Sequence, residues 1–217
     1  MSTEAALTWG RSDWGATRPG ERLREASIDS YRLNLRANVR ALWTGEWSMS
    51  EFIGAMTDTV ERGIMDAWKE GAAKAGVAED ELTQAELDAR MAFMWAQWSQ
   101  LPGLATFVDA HSQANEGKLE TALGRIDLWV NQYNAATTEA QMMAKADQKM
   151  LWMLGPTEEH CRDCAKYAGR VYRASTWLKY NIRPQAMALA CHGYRCACMT
   201  VPTDLPANKG RPPAMTG

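Results

Sequence analysis

The first 160 residues of this 217-residue chain contain no cysteine. Neither a disulfide framework nor a thiolate metal cage can therefore organise that part. Its fold must rest on buried apolar surface, for which the chain is long enough. No run approaches the roughly 18 apolar residues of a membrane span, and "MSTEAALTWG" lacks the basic and apolar regions of a secretory leader, so we expect a protein of the reducing cytoplasm with no membrane partner. Phosphate-cradling motifs of the G-x-x-x-x-G-K and G-x-G-x-x-G types are missing. Histidine is scarce (His111, His160 and His192), which leaves little material for a hydrolytic constellation. No His-x-Glu precedes the cysteines, against a zinc deaminase, and the Cys-x-x-Cys pair follows an expected helix rather than sitting in a βαβ unit, against a thioredoxin-like pair. The expectation is a protein that is not an enzyme. No internal repeat recurs at a fixed period.

Net charge is −2, but residues 1–154 carry 15 Lys/Arg against 22 Asp/Glu, while residues 155–217 carry 9 against 4. The basic end suits phosphate or an acidic partner, the bland alternative being ordinary solvated faces. Residues 1–20 form a Gly/Pro-punctuated arm with Trp9 and Trp14, two rings that should pack on their own domain or on another subunit.

A helical body is expected over residues 21–154. In the first helix Ile28, Tyr31, Leu35, Val39 and Leu42 recur at three- and four-residue steps, with Arg32, Arg36 and Arg40 on a neighbouring stripe that reads as a solvated face or a partner contact. Ser48 with Glu51, and Thr83 with Glu86, have capping-box spacing. They open helices whose inward sets are Phe52, Met56, Val60, Ile64, Ala67 and Trp68, stopping near Gly76, and Leu87, Met91, Met94, Trp95 and Trp98, closed by Pro102-Gly103. Further helices are expected over 104–115, 118–133 and 138–154, the last facing inward with Met142, Ala146, Met150 and Met153. The many Met residues suit an irregular core or an adaptable docking surface.

After Gly155 the character changes. "GRVYRAS" and "CACMTVP" are short β-favourable runs, so residues 155–203 should form a small Cys-clasped β-hairpin knuckle, followed by a Pro-rich tail, 204–217, read as an extended arm or disordered end. The fold class is mainly α, with this α+β appendage.

All five cysteines lie in that knuckle. Cys161 and Cys164 form a Cys-x-x-Cys turn that can direct two thiolates at one tetrahedral ion, and Cys196 and Cys198, two apart in an expected strand, can both face inward to complete the site. Cys191, His192 and His160 are substitutes. Structural zinc is the usual occupant of such a cage, and a unit with few large apolar residues of its own would gain from it. Free thiols or a disulfide in an extracellular particle are the alternatives.

The stretch "ATTEAQMMAKADQKMLWMLGPTEEHCRDCAKYAGRVY" resembles the conserved region of phage minor head, or head morphogenesis, proteins of the Mu F-like type. The resemblance rests on Thr138-Glu139 in a helix, a Trp-containing approach, Cys161-x-x-Cys164 and Gly169-Arg170-Val171-Tyr172. It closes with His192-Gly193-Tyr194-Arg195-Cys196-Ala197-Cys198, and spans about residues 120–203. Gly193 stands where the family usually has Pro, one extra residue separates His192 from Cys196, Ala197 replaces Arg, and Cys191 is additional. The resemblance implies a virion head component present in few copies. It would dock on portal or major capsid protein, with copies of itself in the particle and phage DNA near its basic end. A zinc-dependent nucleic-acid binding module using Arg162, Arg170, Arg173, Lys179, Arg183 and Arg195 is the rival reading.

Overall fold

The computed structural model describes residues 19–157, 159–194 and 196–216, with side chains of the first helix from Ser27 onward. The Trp9/Trp14 arm and Arg195 lie outside these residues. Six helices come first: α1 Pro19–Thr44, α2 Met49–Lys74, α3 Gln84–Trp98, α4 Leu101–Ala110, α5 Leu119–Leu123 and α6 Ile126–Ala144. They are followed by β1 Lys149–Met153, α7 Arg162–Tyr167, β2 Val171–Arg173, α8 Ala174–Lys179 and β3 Met199–Pro202. The chain is mainly helical, with one small antiparallel sheet in the order β2-β1-β3.

Both capping boxes form. Ser48 Oγ accepts from the Glu51 amide while the Glu51 carboxylate accepts from the Ser48 amide, and Thr83 with Glu86 repeats the arrangement, so each helix start satisfies otherwise orphaned N–H groups. Tyr31, Leu35, Val39 and Leu42 of α1 pack on Phe52, Met56, Val60, Ile64, Ala67 and Trp68 of α2 in the first core. The buried Asn38 is satisfied by donating to Thr59 Oγ1 at 3.0 Å. Helices α2 and α6 make the most extensive contact in the molecule. Gly71 permits it, because a Cβ there would strike the Thr137 carbonyl and Ala140 of α6.

Several expectations are corrected. In α3 it is Phe93 and Met94 that are buried, while Met91 and Trp95 are 46% and 63% exposed. Pro102 does not close that helix but stands in the first turn of α4, where its missing N–H costs nothing. The expected 118–133 helix breaks after Leu123 into α5 and α6. The largest difference concerns 138–154. Helix α6 ends at Ala144, and Lys149–Met153 is the central strand, with Met150 and Trp152 buried at period two and Ala146 and Met153 exposed. Met and Trp suit either state, and pairing on both sides with β2 and β3 decides for the strand. The expected two-stranded hairpin is accordingly three-stranded.

Around this sheet lies a second core. Trp177 is wholly buried among Trp152, Tyr167 and Tyr172, and Met142 of α6, Met150, Ile182 and Leu189 complete it. The knuckle is thus not poor in large apolar residues: it supplies Tyr167, Tyr172, Trp177, Ile182 and Leu189 itself, and recruits Met150 and Trp152 of β1 and Met142 of α6 from the preceding segment.

The Pro-rich tail is an extended strap on this same unit. Lys149 Nζ donates to the Asp204 and Leu205 carbonyls, Asn208 exchanges hydrogen bonds with Val171, and Tyr167 Oη donates to the Pro213 carbonyl. The strap ends on Asp163, whose Oδ1 accepts from the amide and hydroxyl of Thr216 at 2.9 and 2.7 Å.

Candidate metal centre

Cys161 is the N-cap of α7, and its Sγ accepts a hydrogen bond from the Cys164 amide at 3.4 Å. One helical turn thus aims both sulfurs of the Cys-x-x-Cys pair to the same side. Cys164 is fully buried and its Sγ lies 3.7 Å from Cys196 Sγ. Four thiolates bound at about 2.3 Å to a tetrahedral ion stand about 3.8 Å apart, so this separation matches one edge of such a cage.

Cys196 and Cys198 are not in a strand. They sit in the irregular lead into β3, both buried, with Ala197 between them half-exposed. Gln185 holds this lead in place, its Nε2 donating to the Cys196 and Cys198 carbonyls at 3.1 and 2.6 Å. Gln185 is itself held from α6, where Gln132 Nε2 donates to its carbonyl at 3.4 Å. Gln185 has φ +58, and Gly193, whose carbonyl accepts from Asn131 Nδ2 at 2.6 Å, has φ +75. Proline cannot adopt that backbone angle, so the glycine at 193 has a local structural cause.

Cys191 joins the cluster. The sulfurs of Cys161, Cys164 and Cys191 lie within 4.8 Å of one another, as do those of Cys164, Cys196 and Cys198. The substitutes separate. His160 lines the cysteine cavity with Nδ1 at 3.8 Å from Cys198 Sγ and 3.2 Å from Thr157 Oγ1. His192 does not line it; that ring is exposed, with Nδ1 against the Met187 carbonyl at 2.9 Å. All five thiols are free, and the cluster can hold a metal ion.

The sulfurs titrate together. Hydrogen bonds with Cys164, and then with Cys191 and Cys198, hold the Cys196 thiol below its ordinary value. Cys164 is pushed up by its hydrogen bonds with Cys191 and Cys196. A hydrogen bond with Cys164 would lower Cys191, but Cys196 and burial push it up to about 12. The sulfurs therefore resist carrying more than one negative charge between them, a property of the cluster rather than of one thiol. A bound dication reverses that penalty and lets further thiols ionise, coupling metal uptake to proton release.

Two charged contacts fasten this unit. Glu139, of the Thr138-Glu139 pair on α6, meets Arg183 Nε at 3.1 Å, both largely buried. Burial raises the Glu139 carboxyl and the Arg183 charge pulls the other way, the net direction being up. Asp163 is wholly buried and accepts from Lys166, Ala190 and Thr216. Sequence reasoning singled out neither Asp163 nor Gln185 as functional. Nothing local marks Gln185, while Asp163 inside Cys-x-x-Cys at a helix start was the one available signal.

No protein-family model, curated protein or solved structure matches the chain.

Proposed function

We propose that this chain is a minor head protein of a phage or prophage-like particle. Its helical body docks on portal or capsid subunits, and its C-terminal unit is closed by structural zinc. One observation carries the reading. The Cys-x-x-Cys, Gly-Arg-Val-Tyr and Cys-x-Cys pieces, each weak alone, enclose a single core: Cys161 and Cys164 open α7, Gly169-Arg170 turns into β2, and Cys196 and Cys198 return to Cys164. Separate pieces of chain that converge in this way behave as one motif, as the resemblance requires. The Thr-Glu pair joins it through the Glu139–Arg183 contact. Zinc is the favoured ion because the donor set is rich in thiolate and a nearby imidazole is available. Docking is supported by Trp95 and Met91, large apolar side chains exposed on α3. The tail's hydrogen bonds go to its own unit, so it is bound there rather than held out towards a partner.

The rival nucleic-acid reading needs free cationic side chains. Of its residues Arg183 is largely buried against Glu139, whereas Arg162 and Arg173 are exposed and keep their charge despite one carbonyl hydrogen bond each. Quantitative mass spectrometry of gradient-purified particles tests the assignment. A few copies per particle, at or below the portal number, is the expected result; absence from both immature and mature particles refutes it. A salt-sensitive affinity for DNA would then favour the rival.

A further inference from the structure

We propose that the cysteine cluster is a two-ion site in which Cys164 is the shared, bridging thiolate, an inference that rests on the metal reading above. The sulfurs fall into two groups, Cys161/Cys164/Cys191 and Cys164/Cys196/Cys198, each internally within 4.8 Å, and the five do not merge into one such group. Cys164 alone belongs to both. A single tetrahedral ion takes four donors, so a mononuclear cage would leave a cysteine unused inside a cluster that brings five together. Two ions use every donor. The first binds Cys161, Cys164 and Cys191, with solvent in its fourth position. The second binds Cys164, Cys196 and Cys198, with His160 supplying the fourth position from Nδ1, 3.8 Å from Cys198 Sγ. All six donors line one cavity.

Charge favours the same arrangement. One dication in four thiolates leaves two net negative charges in a place where Cys164, Cys196 and Cys198 are buried. Two dications against five thiolates leave one, and burying less uncompensated charge lowers the desolvation cost. The ions are borderline-soft divalent cations, zinc first. Cys191, additional to the four-sulfur set of the resemblance, then has a role as the ligand that completes the first ion's three sulfurs.

Native mass spectrometry of the full chain, stripped of metal under reducing conditions and reloaded with excess zinc, counts the ions directly. Wild type should carry two zinc ions, Cys191→Ser one, and Cys164→Ser no more than one, held by Cys196, Cys198 and His160. Cys191→Ser decides the matter even if loss of the buried Cys164 unfolds the unit, because Cys191 is only half-buried. One zinc on saturated wild type overturns the bridge and leaves a single-ion site, and two on Cys191→Ser overturns the ligand assignment. No zinc at all overturns the metal reading as well, while the head-protein assignment stands or falls separately on particle composition.

Discussion

Two alanine substitutions in one helix should shift stability in opposite directions. Gly54 and Gly71 both lie in α2, and by helix propensity alone each replacement should stabilise by up to about 1 kcal/mol. At Gly54 nothing lies within 4 Å of the added Cβ, so that gain should appear intact. At Gly71 the methyl would meet the Thr137 carbonyl and Ala140 Cβ of α6, closer than non-bonded atoms can sit, and the obstruction is backbone rather than a movable side chain end. Helix α6 must move away, and overpacking of this kind costs about 1–3 kcal/mol. After offsetting the propensity gain, Gly71→Ala should be destabilising by up to about 2 kcal/mol. For a chain of this size each kcal/mol moves Tm by roughly 2–4 °C, so Gly71→Ala should lower Tm by up to roughly 8 °C while Gly54→Ala raises it slightly. Urea midpoints at constant slope give the same ordering without heating. A Gly71→Ala protein as stable as Gly54→Ala would refute the close α2–α6 approach.

Trp177→Ala should destabilise by about 3–5 kcal/mol, since it empties the centre of the second core and removes the Nε1–H bond to the Met150 carbonyl; urea denaturation measures it. At Glu139 burial outweighs the Arg183 attraction and raises the carboxyl, so its charged form costs the fold stability that returns as pH falls through the folded pKa; Glu139→Gln should therefore leave stability at neutral pH unchanged or slightly higher, read by urea denaturation. At Asp163 burial would push the carboxyl up, but hydrogen bonds from Thr216, Ala190 and Lys166 outweigh it and hold it below its ordinary value. A depressed carboxylate contributes stability above its unfolded pKa and loses it as pH falls through the folded one. Hydrogen exchange should therefore show the Thr216 and Ala190 amides protected at neutral pH and released below the ordinary carboxylate range. Removing zinc with a chelator should lower Tm of wild type by more than that of Cys164→Ser, read by thermal scans with and without chelator.

The body's helices were legible because their signals are local. Tyr31, Leu35, Val39 and Leu42 mark a face at helical spacing, and Ser48/Glu51 and Thr83/Glu86 satisfy helix starts within four residues. The orientation of α3 was not legible, since Met91, Met94, Trp95 and Phe93 are all apolar and only the position of neighbouring helices selects Phe93 and Met94 for burial. At the cluster, Cys-x-x-Cys and Cys-x-Cys spacing pointed to the sulfurs. The hydrogen bonds of Gln185 to the lead into β3, and the swing of His192 away from the cavity, depend on loop backbone angles that no short pattern encodes.

By itself, then, the sequence determined a mainly helical chain with capped helices and a C-terminal set of thiols, because periodicity, capping and cysteine spacing act within a few residues. Tertiary structure alone decided that Lys149–Met153 is a strand, that α6 serves both cores, that the tail straps onto Asp163, and that Cys164 is the common member of two sulfur groups. Each of these is a contact between segments distant in the chain, and its free energy exists only once both partners are in place.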